Sequence, residues 1–298
     1  MQITMMIRSY IFRSTLFGLV LAGALGGLMG CTTSGQPGSA GGSGSGSGGS
    51  GSGAGYVYLT GNWQFQTTTT TAPVPFTSLA GFINEQSDKP GVNDLTTAAL
   101  QAQPSSCYLG APVIPLGAPV IPMQGATQGT ALGLRSFSVN GQYLTLNATK
   151  DATATHLNGT WVVNGGCANG AAGTISGTRY APLNGTFSGA ISGSPPAKTL
   201  QLSLLQYDAG TGDGVFPVTG SATMTGFTCF TSGTLASTDG SVIGSSAVLT
   251  FSTNDMGGAK MVLTGSFDPT AKTLTLSSVQ VNGGSCSGSY GGATLTAP

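Results

Sequence analysis

Charge is what this sequence has least of: Asp, Glu, Lys and Arg make up 6% of its 298 residues, against roughly a quarter of an average soluble domain. No basic cluster stands ready for a phosphate backbone, which excludes nucleic-acid binding. So thin a field also steers charged partners weakly. The single histidine, His156, is the one possible base of a Ser-His-Asp triad, and no Gly-x-Ser-x-Gly elbow accompanies it. It sits in Asp151-Ala-Thr-Ala-Thr-His156, a turn entering a strand, where a surface role is expected rather than catalysis. Cys-x-x-Cys pairs are absent, which with one histidine excludes a zinc site. No cofactor motif is present, and no long amphipathic helix follows residue 30.

Acids are as sparse as bases. Catalysis by paired carboxylates needs two acids held across a cleft. The nearest groupings, Glu85/Asp88/Asp94 and Asp208/Asp213, fall in expected turns and read as solvated. Asp208-Ala-Gly-Thr-Gly-Asp213-Gly is similar to a calcium loop, but it lacks the further ligands and the closing Glu of an EF-hand. Nothing here identifies an enzyme.

What the chain has in abundance is Gly, Ser, Thr, Val and Leu, a composition that favours exported β-structure. Arg8 and Arg13 precede the apolar run Leu16–Leu25, which is too short and glycine-rich to span a bilayer comfortably and has the layout of a secretory signal. The run leads to Leu28-Met29-Gly30-Cys31, which resembles the lipobox of bacterial lipoproteins. That resemblance implies cleavage before Cys31, a thioether-linked diacylglycerol on its sulfur and an acylated amino group. Such chains together suffice for stable membrane anchoring. Thr32, where an Asp would retain a lipoprotein at the inner membrane under the enteric-type rule, implies the outer membrane. Loss of Arg8 and Arg13 with the leader leaves seven basic and nine acidic residues, a formal charge of −2. Residues 32–55 are almost wholly Gly and Ser, a disordered tether with an r.m.s. span of roughly 25–30 Å.

Beyond the tether the sequence repeats itself. Trp161-Val-Val-Asn-Gly-Gly-Cys167 is echoed by Val279-Gln-Val-Asn-Gly-Gly-Ser-Cys286. Gly61-Asn-Trp-Gln-Phe65 is echoed loosely by Gly185-Thr-Phe187. Two units are therefore expected, residues 56–182 and 183–298, each of ordinary domain size. Cys107 precedes Cys167 by 60 positions and Cys229 precedes Cys286 by 57. With Cys31 assigned to lipid, four cysteines allow three pairings, and the repeat selects Cys107–Cys167 and Cys229–Cys286.

Short β-rich runs separated by turn residues indicate an all-β chain of two tandem antiparallel meanders, about eight strands each, barrel-like or sandwich. In the second unit the runs are 185–192, 199–206, 215–225, 227–236, 242–252, 260–267, 272–281 and 286–296. In the first they are 56–66, 76–86, 130–139, 142–148, 155–163 and 173–180. Leu95–Leu100 fits a short helix or a strand. Leu109-Gly-Ala-Pro-Val-Ile-Pro115, repeated as Leu116–Pro122, carries too much proline for a central strand and is expected in a loop or edge. Trp63 and Trp161 are expected in the core, with a ligand-stacking platform as the lesser alternative.

Taken together, the lipobox, the tether, the Gly-Asn-Trp-Gln-Phe start, Gly81-Phe-Ile-Asn-Glu-Gln86 and the Asn-Gly-Gly-Cys close resemble secreted lipoproteins of Acidobacteria-type soil bacteria. The resemblance implies location and β-architecture, not an activity. The expectation is a non-enzymatic envelope lipoprotein, a binding or structural module joined to the membrane through Cys31. A protein, glycan or small-ligand partner stays open, with a lipocalin-like carrier of an apolar ligand as the alternative and an envelope hydrolase third.

Overall fold

The computed structural model describes residues 56–87, 90–103, 120–138, 141–193 and 197–298. The lipobox with Cys31, the Gly/Ser tether and Cys107 lie outside the described residues. The described residues hold together as one compact unit, and within it the chain closes two antiparallel β-barrels in succession.

The first barrel runs β1 (Gly61–Thr71), β2 (Ser78–Gln86), β3 (Asp94–Gln103), β4 (Val120–Gln128), β5 (Ala131–Ser136), β6 (Tyr143–Lys150), β7 (His156–Asn164) and β8 (Ala172–Tyr180). Each strand pairs with the next, and β8 pairs with β1 from Tyr180↔Asn62 to Ala172↔Thr71 to close the ring. The second runs β9 (Gly185–Ile191), β10 (Lys198–Gln206), β11 (Phe216–Thr225), β12 (Ser232–Leu235), β13 (Gly240–Ile243), β14 (Ser246–Thr253), β15 (Lys260–Asp268), β16 (Thr273–Asn282), β17 (Gly288–Tyr290) and β18 (Ala293–Thr296). β12 and β13 share one place between β11 and β14, and β17 and β18 share one beside β16. The second ring thus also has eight positions, closed by β18 against β9. The two-state choice between sandwich and barrel is settled as barrels.

Alternation explains why these segments are strands. In β10, Leu200, Leu202 and Leu204 point inward while Thr199, Gln201 and Ser203 face solvent, as a half-buried strand requires. Inward residues form two separate cores. Trp63, Phe65, Phe76, Leu79, Leu100 and Trp161 dominate the first, and Phe187, Leu202, Phe251, Met261 and Leu274 fill the second. The repeat is structural as well: after β7, Gly165 and Gly166 have φ of 79° and 61°, and after β16, Gly283 and Gly284 have 83° and 67°. Two successive left-handed residues make Gly-Gly the natural choice at each turn.

Leu95–Leu100, open between helix and strand in the sequence, is strand, within β3. Two readings need correction. The second Pro-rich heptapeptide enters the barrel wall, where Pro122 pairs with Ala99 in β4. Pro122 is accommodated because its C=O, and hence the side on which its N–H would lie, faces β5 where that ladder ends. Phe137 N donates to Pro122 O at 3.2 Å, just past the last β5 residue. Finally, Glu85 and Asp94 are not solvated turn acids. Glu85 continues the inward row Leu79, Gly81, Ile83 of β2, and Asp94 is buried at the start of β3.

The disulfide Cys229–Cys286 is formed, with Cα atoms 6.0 Å apart. It ties the loop after β11 to the turn after β16. Cys167, in the 3₁₀ turn Gly166–Ala168 after β7, is also disulfide-bonded.

Candidate functional site

The outer faces of the barrels carry hydroxyls in place of charge. Thr199↔Thr225, Ser203↔Ser221, Ser246↔Ser266 and Thr275↔Thr294 are cross-strand neighbours on the second barrel. Apolar inside and hydroxylated outside, this wall is the inverse of a bilayer-spanning barrel.

One stretch of it is recessed. Tyr207 N donates to Pro217 O at 2.9 Å, Pro217 pairs with Ser241, and Ser241 pairs with Val248. These four residues make a transverse row across the outer face, and two loops rise on its borders to form a cleft of about 670 Å³. The loop from Tyr207 to Val215 contributes Thr211 and Asp213, and the turn before β13 contributes Ser237, Thr238 and Asp239. Tyr207 is 47% exposed. Ser241, in the floor, is 7% exposed, and its Oγ has no hydrogen-bond partner among the described residues. A buried hydroxyl left in that state costs about 1–3 kcal/mol, and a rotation about χ1 that brought Oγ to the cleft surface would let a bound hydroxyl relieve it. No Lys, Arg or His lines the cleft, and its two acids make it weakly negative.

The Tyr207–Val215 loop is held on its other side by the first barrel. Gln101 Nε2 donates to Asp213 O at 3.1 Å, and Phe82 meets Phe216 edge-to-face with centroids 5.5 Å apart. Gly214, at φ +83°, lies so close to Ala99 that a Cβ would sit 2.3 Å from its carbonyl oxygen. Nearby, the two-residue hairpin loop between β13 and β14 is gripped by outward side chains of β1. Asn62 Nδ2 donates to Gly244 O at 2.8 Å, Gly244 N to Asn62 Oδ1 at 2.6 Å, and Ser245 N to Gln64 Oε1 at 3.0 Å. The cleft belongs to the second barrel, yet one of its walls is braced by the first.

A second polar cluster sits at one mouth of the first barrel. Leu59 plugs the core there, and its N–H donates to Glu85 Oε2 at 2.6 Å. Tyr56 OH donates to Glu85 Oε1. Lys150 Nζ lies 3.9 Å from Glu85 Oε2, donates to Val57 O at 2.7 Å and stands 3.7 Å over the Tyr56 ring, a desolvated cation–π contact. Burial pushes Lys150 down against the pull of Glu85 and Asp94. Burial, together with hydrogen bonds to Glu85 and Asp94, pushes the Tyr56 phenol far above its usual value. Burial would raise Asp94, but hydrogen bonds from Ser87 and the Gly91 N–H outweigh it and hold the carboxyl below the usual range. The cluster is enclosed and serves to hold the plug.

The sequence-selected residues fall elsewhere. Trp63 and Trp161 both lie in the first core. Trp63 Nε1 donates to Leu59 O at 2.7 Å, and Trp161 packs on Phe76 with centroids 4.9 Å apart. Neither ring faces the cleft. In both barrels the described interior side chains pack on one another, where a carrier would need a lined cavity. His156 opens β7 on the surface with Nδ1 3.2 Å from Asp151 Oδ2. Desolvation pushes Asp151 up, but the Thr155 and His156 backbone donors and the Thr153 hydroxyl hold it well below the usual carboxylate range. Asp213, from the calcium-like loop, accepts from Thr211 Oγ1. No group of three or more His, Cys, Asp or Glu gathers as a metal site among the described residues. Tyr207, Asp239 and Ser241 escaped sequence reading, because only strand pairing brings them to one floor.

Compared with known family models, curated proteins and solved structures, the chain matches none of them.

Proposed function

We propose that this protein is a lipid-anchored module of the bacterial cell envelope, non-enzymatic, that binds an envelope or extracellular ligand in the cleft over Tyr207, Pro217, Ser241 and Val248. The observation that carries the binding role is the unpartnered Ser241 hydroxyl in the floor of that cleft. Leu28-Met29-Gly30-Cys31 and the Gly/Ser tether support the anchor, and Thr32 supports the outer membrane. Apolar interiors and hydroxylated outer walls leave the anchor, rather than the strands, to supply membrane attachment.

Mass spectrometry of the mature N-terminus tests the anchor, with a diacylglyceryl-modified, acylated Cys31 expected. An unmodified Cys31 would remove the anchor and the localisation with it. Co-sedimentation of the detergent-solubilised protein with washed envelope fractions tests binding. Retention lowered by Tyr207→Ala is expected, and equal retention of the two forms would remove the cleft from the function.

A further inference from the structure

We infer that the cleft on the second barrel takes a neutral oligosaccharide, laid along the row Tyr207–Pro217–Ser241–Val248; this rests on the binding role proposed for the same cleft. Neighbouring strands lie about 4.8 Å apart, so a row across four of them is about 14 Å long, room for about three pyranose rings. Tyr207, Pro217 and Val248 supply an apolar strip, and a half-exposed tyrosine ring offers the flat face on which the C–H side of a pyranose stacks. The rim of a sugar is hydroxyl, able both to donate and to accept. The cleft answers with Thr211, Thr238 and Thr250 hydroxyls and with Asp213 and Asp239 as acceptors, and the unpartnered Ser241 Oγ lies buried just beneath the floor, within reach of a χ1 rotation.

The same chemistry argues against other ligands. Two carboxylates and no cation in the lining disfavour phosphorylated or uronic acid chains. A peptide added as an extra strand needs an open sheet edge, and both sheets close on themselves. A lipid or drug-like molecule is held in an enclosed apolar pocket, whereas this cleft is open and sets an apolar strip between hydroxyls and two carboxylates.

Titration calorimetry on the detergent-solubilised mature protein tests this with malto-, cello-, laminari- and chitohexaose as neutral probes and a hexagalacturonate as the acidic one. At least one neutral hexasaccharide should bind, with hexagalacturonate at least tenfold weaker. Tyr207→Ala should lower the affinity at least tenfold and Ser241→Ala at least threefold. Leu205→Ala, which removes an exposed side chain of the same strand face outside the cleft lining, should leave it unchanged. Circular dichroism of each variant confirms that the barrels are intact. Silence from all four neutral hexasaccharides, acidic binding as tight as neutral, or neutral binding indifferent to Tyr207→Ala would each overturn the inference. If the neutral sugars are silent while Tyr207→Ala still lowers retention on envelope fractions, the sugar assignment falls and the binding role of the cleft survives.

Discussion

The two barrels close the same mouth by different chemistry. In the first, Leu59 plugs the core two residues before β1 and gives its N–H to Glu85 near the end of β2. In the second, Leu183 plugs the core two residues before β9 and gives its N–H, at 2.9 Å, to Gln206 Oε1 at the end of β10. The second plug is completed by Asn184 Oδ1, which accepts from Gln206 N at 2.7 Å, and it needs no charge. The first uses a carboxylate, which brings with it a buried ammonium from β6 and a phenol from Tyr56. A backbone N–H buried at a barrel end must find an acceptor. A neutral amide satisfies that requirement locally, whereas a carboxylate satisfies it only together with its partners.

The largest expected effect comes from breaking each plug. Glu85→Ala leaves the Lys150 ammonium buried without its carboxylate and the Leu59 N–H unpaired, and should destabilise the protein by about 3–5 kcal/mol. Gln206→Ala removes only neutral hydrogen bonds, and about 1–3 kcal/mol is expected. Both tryptophans lie in the first barrel, so urea unfolding followed by tryptophan fluorescence reads that barrel, and circular dichroism reads both. Equal losses from the two substitutions would show that charge makes no difference at the mouth.

A smaller effect separates the plugs by pH. The Asp94 carboxyl in the folded protein titrates below the unfolded value of 3.8, held down by Ser87 and the Gly91 N–H. Its contribution is therefore present above that value and is lost as pH falls through the folded one. Asp94→Asn removes that titration. The urea midpoint of the wild type should exceed that of the variant at pH 7, and the gap should narrow as the pH is taken below 3.8. A gap that stays constant to pH 2 would remove Asp94 from the acid response.

How much of this was legible follows from what each feature depends on. Strand positions such as Lys198–Gln206 were readable because inward Leu200, Leu202 and Leu204 alternate with outward polar residues. The pairing of Cys229 with Cys286 was readable because each unit ends in Asn-Gly-Gly before a cysteine, a turn that needs two left-handed residues. Glu85 was misread although it continues the inward row Leu79, Gly81, Ile83. An acid on a core-facing row makes sense only once β6 delivers Lys150. Asn62 and Gln64 alternate outward like any solvated residue, and their role appears only when the second barrel's hairpin loop is docked on them. The cleft was invisible for the same reason: Tyr207 and Ser241 meet through β11, a long-range pairing that no local pattern announces.

The smallest expected effect is the most informative about why the charged mouth exists. Glu85→Gln combined with Lys150→Met rebuilds the first plug in the image of the second, with a neutral acceptor for the Leu59 N–H and an unbranched apolar stem in the lysine's place. Replacing a buried ion pair by neutral groups of similar volume is often neutral or stabilising, so the unfolding free energy from urea titration should stay within about 1 kcal/mol of wild type. The loss should fall instead on the incoming chain. Lys150 holds Val57 O and lies over Tyr56, whose hydroxyl is on Glu85. Those contacts pin the segment through which the proposed tether enters the barrel. The linker into the second barrel meets no such demand, since it joins two parts of one compact body. Hydrogen exchange at the Leu59 amide should accordingly speed up about tenfold in the double variant, equivalent to about 1.4 kcal/mol of local opening, with exchange at Leu183 unchanged. Unchanged exchange at Leu59 would show that the neutral plug holds the entering chain as well as the charged one. Pinning the tether would then not account for the ion pair.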